Sequence, residues 1–113
     1  LKNGHRYGAD GFVFPAQVGS YPNGVSVYGA HDMSGNVWEW TASNFDYDHY
    51  AKISDPRNPV ESTVEGYKVA RGGAWTSGEW SSRVTIRYAK RSNETDVNVG
   101  FRCAVDPASG SEK

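Results

Sequence analysis

Few residues of this chain could do chemistry, and their spacing excludes more than it permits. Cys103 is the only cysteine among 113 residues. The chain alone therefore forms no disulfide and no multi-cysteine metal site. Its thiol is either a buried free one or half of a bridge to a segment outside this chain. His5, His31 and His49 share no metal-ligand spacing and read as loop or surface histidines. A Ser/His/Asp set can be drawn on paper from Ser77 or Ser82, but nothing in the sequence positions it. Arg83, Arg87, Arg91 and Arg102 read first as partners of carboxylates and second as a surface for an anionic ligand. Asn93-Glu94-Thr95 matches a glycosylation acceptor, which means nothing in a bacterial protein.

The elements that must carry these residues are short. Residues 1–23 are rich in Gly, Asn, Pro and aromatics, have no helical period, and end in the turn Tyr21-Pro22-Asn23-Gly24. Val37 to Thr41 alternates, with Trp38 and Trp40 on one side and Val37, Glu39 and Thr41 on the other, which predicts a central strand. Asn44 to Ala51 has room for one helical turn, and Asp55-Pro56-Arg57-Asn58-Pro59 ends any continuation. Strands are expected at 66–71, 83–88 and 99–105, with loops at 75–82 and 90–98. Residues 107–113 are expected to be a flexible tail. Loops this long in a compact domain signal function, bound ions or a missing segment that packs on them.

Composition narrows the class. With 37% hydrophobic and 22% charged residues, the chain has the make-up of a soluble globular protein. Thirteen glycines and 13% aromatics suit short strands and tight loops better than long helices. A net charge of -1, without a basic cluster, gives no footprint for nucleic acid. No apolar run reaches the length of a membrane span, and no signal-peptide pattern opens the chain. Leu1 stands where Met would begin a gene product, so the chain is expected to start inside a longer one.

Three blocks, HDMSGNVWEWTAS (31–43), VARGGAWTSGEWSSR (69–83) and VGFRCAVD (99–106), occur in that order. Together they resemble the C-terminal half of the sulfatase-modifying-factor family, the formylglycine-generating enzymes and their bacterial relatives. ADGF at 9–12 and YPNG at 21–24 fit the stretch before the first block. The resemblance implies an α+β fold with little regular secondary structure, a variant of the C-type-lectin-like fold with short antiparallel strands and long ordered loops. It places residues 1–106 as the C-terminal half of such a domain. The N-terminal half is then a missing or separate partner segment.

The family's calcium loop, transferred by position, implies the side chains of Asp32 and Glu39 and the carbonyls of Gly35 and Val37 as ligands. Carboxylates mixed with carbonyls suit a hard cation. The alternative is that Asp32 caps a turn and Glu39 pairs with an arginine. A second calcium site would use Asp10 and the carbonyl of Phe12 and is incomplete without upstream ligands. The family enzyme oxidises a substrate cysteine with oxygen, using two cysteines that bind copper after the RGG motif. Those positions fall here on Ser77 and Ser82, or, in the other register, on Gly78 and Arg83. Neither register supplies sulfur, and Cu(I) needs soft ligands, so no copper and no formylglycine-generating activity are expected. Cys103 lies where some relatives form a disulfide to the N-terminal half.

The resulting expectation is a non-catalytic module for binding or structural assembly, stabilised by calcium. Trp75, Trp80, Arg83 and Tyr88 are its ligand-face candidates. The alternative is an enzyme subunit, a formylglycine-generating oxidase or a natural-product tailoring enzyme, completed by the N-terminal segment. Sulfoxide-synthase chemistry of other relatives would need a two-His-one-carboxylate set, which the sequence does not show. Participation in a larger assembly fits the first reading. Calcium and a possible bridge at Cys103 point to a periplasmic or secreted location.

Overall fold

A computed structural model describes residues 14–52, 65–105 and 107 of the chain. They form β1 (Trp38–Asn44), the one-turn helix α1 (His49–Lys52), β2 (Tyr67–Arg71), β3 (Tyr88–Arg91) and β4 (Val99–Gly100). The strands make one sheet in the order β3-β2-β1-β4. β1 pairs antiparallel with β2, and β2 antiparallel with β3. β4 runs parallel to β1, with Val99 opposite Trp38 and Gly100 opposite Glu39. Among the described residues no helix is long and apolar enough to cross a membrane.

The alternation of the WEW motif puts Trp38 into the core beside Ala70 and Ala74, with Ile86 and Val99 packed against it. Trp40 is half-buried. The β1–β2 register slips between Trp40 and Asn44. There the Thr41 hydroxyl donates to the Val69 carbonyl at 2.9 Å, replacing a ladder bond.

The RGG motif then turns the chain out of β2. Gly73 has φ +76°, and a Cβ there would stand 2.7 Å from Ser82 Cα. Only glycine lets the segment after β2 lie on the turn that carries Ser82. The loop before β1 is fastened to the same place. Gly35 N donates to Gly72 O at 2.6 Å, and Trp75 N donates to Asn36 O at 2.7 Å. The Asn36 side chain exchanges two hydrogen bonds with the Ala16 backbone. Two of the sequence blocks thus pack as one unit.

Several expectations need correction. Residues 83–87 are bend, turn and irregular chain, tied by Arg83 N to Trp80 O and Ile86 N to Arg83 O. The third strand begins only at Tyr88, where β2 offers Ala70 as a partner, and it takes in Lys90 and Arg91. The last strand is two residues long, and residues 101–105 are exposed without regular structure. Its pairing is parallel, so the sheet is mixed. Cys103 is exposed rather than a buried thiol. His49 is 3% exposed at the start of α1 and is not a surface histidine. Asp10, Phe12, His5 and the tail 108–113 lie outside the described residues.

Candidate functional site

A cleft of about 470 Å³ opens beside the turn that follows the RGG motif. Trp38, Ser77, Trp80, Tyr88, Lys90 and Asp96 are among the residues that line it. Three elements supply them. Trp38 comes from the start of β1 and stacks on Tyr88 of β3, with ring centroids 5.0 Å apart and 22° between planes. Ser77 closes a tight turn on Ala74. Its N–H donates to the Ala74 carbonyl at 2.8 Å, and its Oγ accepts from Ala74 N at 3.0 Å. Trp80 projects from the next turn, held by Ser81 N and Ser82 N on the Gly78 carbonyl.

One polar pair forms part of the wall. Lys90, 8% exposed, donates to Asp96 Oδ2 at 2.7 Å. Asp96 Oδ1 accepts from Asn98 N at 2.8 Å, an Asx turn that leads into β4. The lysine hydrogen bond, then that backbone bond, hold the Asp96 carboxyl below its ordinary range. The same hydrogen bond to Asp96 raises the Lys90 ammonium, against the opposing effect of its burial.

The ligand-face candidates separate. Trp80 and Tyr88 line the cleft. The Arg83 guanidinium lies over the Trp80 ring, 5.7 Å from its centroid. Trp75 instead packs edge-on against Phe14, with its indole N–H buried and unpartnered among the described residues. Ser82 lies under Gly73, and its carbonyl accepts from Ser34 Oγ at 2.5 Å. Lys90 and Asp96 were not singled out in the sequence, where 90–98 reads as loop. The Asp96-x-Asn98 spacing was the available signal.

The second constellation surrounds Glu39. Arg102 donates through Nε to Glu39 Oε2 at 2.6 Å and through Nη2 to Oε1 at 2.5 Å. The same guanidinium reaches the His31 carbonyl at 2.7 Å and the Asp32 carbonyl at 3.0 Å. The fork raises the Arg102 pKa, first through the Glu39 hydrogen bond. Asp32 has φ +57°, and its Oδ2 accepts from Gly19 N at 2.7 Å. Asp32 as a turn partner and Glu39 as an arginine partner are therefore both realised.

The description "Sulfatase-modifying factor enzyme 1-like domain" belongs to a family model that matches residues 2–107. The chain belongs to this family. It is 36% identical over 112 residues to a protein named formylglycine-generating enzyme from Thermomonospora curvata, covering 91% of this chain and 35% of that one. It is 38% identical over 99 residues to hercynine oxygenase from Mycolicibacterium smegmatis, covering 81% and 23%. It is 32% identical over 100 residues to the inactive C-alpha-formylglycine-generating enzyme 2 of Bos taurus, covering 84% and 28%. The chain spans about a third or less of the length of these relatives.

Two metals implied by the sulfatase-modifying-factor family meet different chemistry here. Cu(I) takes soft sulfur ligands, and neither Ser77 and Ser82 nor, in the other register, Gly78 and Arg83 carry sulfur. The calcium that the family implies would take hard oxygen donors. Asp32 and Glu39 bring carboxylates, and the loop between them turns through positive φ at Gly35 and Asn36. Arg102 cancels one of the two negative charges, which predicts a weak site. Among the described residues no three His, Cys, Asp or Glu side chains cluster as a metal group, so backbone carbonyls would have to complete the shell.

Proposed function

We propose that this chain is a non-catalytic sulfatase-modifying-factor module that binds a ligand or assembles with other proteins, in the family's C-type-lectin-like architecture. The observation that carries this reading is Ser77. It lines the cleft, and neither it nor Gly78, the two residues on which the first family cysteine would fall, supplies a thiol, while the chain's single thiol, Cys103, is exposed beyond β4. A hydroxyl neither binds Cu(I) nor forms the sulfur species that oxygen-dependent cysteine oxidation requires. Incubating the protein with copper, oxygen and a sulfatase-motif peptide should leave the peptide cysteine intact by mass spectrometry. Conversion to formylglycine would overturn the reading.

The second reading is an enzyme subunit completed by an N-terminal segment of the same domain. A solvent-open cleft and the kinship with a protein named formylglycine-generating enzyme favour it. The same peptide assay on the complex with that segment separates the two. We also infer a covering partner, the N-terminal half of the domain. The described residues bury only Trp38, Val69, Ala70 and Ala74 as a core, and expose Phe14, Val27, Tyr28, Phe101 and Val105.

Calcium held by Asp32, Glu39 and the carbonyls of Gly35 and Val37 belongs to the same proposal. A site of net charge about -1 binds in the millimolar range and so suits an extracytoplasmic compartment. Calorimetry should register weak calcium binding that Asp32→Asn weakens further. Equal heats for both proteins would remove calcium from the proposal.

A further inference from the structure

The cleft beside Ser77 combines exposed rings with hydroxyl and ammonium donors. Trp80 is 64% exposed and Tyr88 48%. Flat aromatic faces left open to water beside a concavity are surfaces on which something stacks. The charge around them argues against an ion. Lys90 is already answered by Asp96 at 2.7 Å and by Glu94 at 4.0 Å, so an incoming anion would approach two carboxylates. A cation seeking the Trp80 ring would compete with Arg83, which lies over it. A neutral ligand is repelled by neither the carboxylates nor Arg83, and it stacks on the part of the Trp80 ring that stays exposed beside Arg83.

The remaining chemistry is that of hydrogen-bond donors. Ser77 Oγ accepts from Ala74 N, and its hydroxyl proton has no acceptor among the described residues. The hydroxyls of Thr76 and Ser81 line the same cleft. The Lys90 ammonium carries three donors and directs one to Asp96 Oδ2. Donors between aromatic plates, without net charge, match a ring with apolar C–H faces and an oxygen-rich rim. A cleft of about 470 Å³ lies in the ordinary range for small-ligand sites.

We propose that this cleft binds a neutral saccharide, a pyranose mono- or disaccharide unit laid against Trp80 with its oxygens toward Ser77 and Lys90. The proposal rests on the non-catalytic reading of the same cleft. Its readout is binding, so it can fail independently of the peptide assay.

The test titrates the intact chain with cellobiose, lactose and chitobiose, following tryptophan fluorescence and amide shifts at residues 76–81. Glucuronate and the sulfatase-motif peptide serve as comparison probes. At least one neutral disaccharide should saturate at millimolar concentration and shift the Ser77 and Trp80 signals. Trp80→Ala should weaken it by about tenfold, the loss of one stacking contact, and Trp80→Phe should recover part of that. Trp80 is exposed, so both variants should keep the wild-type circular dichroism. No response to any neutral disaccharide, a response only to glucuronate or the peptide, or unchanged binding by Trp80→Ala would each overturn the proposal.

Discussion

Arg102 joins residues that are distant in sequence through a single planar group. Its fork touches both oxygens of Glu39 and the carbonyls of His31 and Asp32. Removing it leaves a half-buried carboxylate and two carbonyls without their donor. Arg102→Ala should cost about 1–3 kcal/mol in chemical denaturation, discounted for the partial exposure of the pair. Arg102→Lys should recover little, because an ammonium cannot span the carboxylate and reach both carbonyls. Gly73→Ala should be at least as severe. Its Cβ meets Ser82 Cα at 2.7 Å and its backbone sits at φ +76°. About 2–4 kcal/mol is expected from clash and left-handed strain together, read as a lower denaturation midpoint. The glycine's role was legible in the RGG motif, and an arginine partner for Glu39 was one of two sequence readings. Which arginine it would be was not, because Glu39 and Arg102 are brought together by β4 pairing that no local pattern encodes.

The tightest ion pair of the segment from β3 to β4 is Lys90 with Asp96, at 2.7 Å. Lys90 leaves β3, Asp96 meets it, and Asp96 in turn caps Asn98 at the entry to β4. Asp96 has a lowered carboxyl pKa in the folded state. Its contribution to stability is therefore complete above the ordinary carboxylate range and is lost as pH falls below that range through the lowered folded value. Lys90 is raised, so its contribution holds through neutral pH and fades only in strong alkali. Denaturation midpoints should fall on acidification below about pH 4, and Asp96→Asn should flatten that acid limb. The strand β2 and the helical turn near His49 were legible from local pattern and breakers. The alternation of Val84, Ile86 and Tyr88 was misleading. It places Ile86 against the core, yet pairing with β2 begins only at Tyr88, and the stretch before it is tied back by the Ile86 N to Arg83 O turn.

At the scale of the whole molecule, the described residues carry a small core and much uncovered apolar surface. Val27 and Tyr28 are almost fully exposed, as are Phe101 and Val105 to a lesser degree. The isolated chain should bind a hydrophobic dye such as ANS. Adding the N-terminal half should lower the dye signal and raise the melting temperature, as any partner that binds the folded state does. Unchanged dye binding would show that the apolar surface belongs to something else. The family was legible in three ordered blocks, of which the first two pack together at Gly72 and the third joins the first through Val99 and Arg102. The cleft was only half legible. Ser77 and Trp80 are motif positions and Tyr88 falls in an expected strand, but Lys90 joins them through β2–β3 pairing and Asp96 through its bond to Lys90.

The parallel pairing of β1 with β4 also sets a rhythm for how the chain reaches this shape. Trp38 and Val99 must find each other across sixty-one positions of sequence. Closing a loop of that length costs roughly 3–4 kcal/mol of chain entropy before any contact repays it. β4 offers only two residues of ladder in return. The β1–β2–β3 antiparallel run, with shorter closures, should form first and β4 should dock after it, an order that amide-exchange labelling during refolding would test. Until then Trp38 lacks Val99, Glu39 lacks Arg102, and β1 stands as an open strand edge. The interval between those two events is when the chain is most exposed to pairing with another copy of itself.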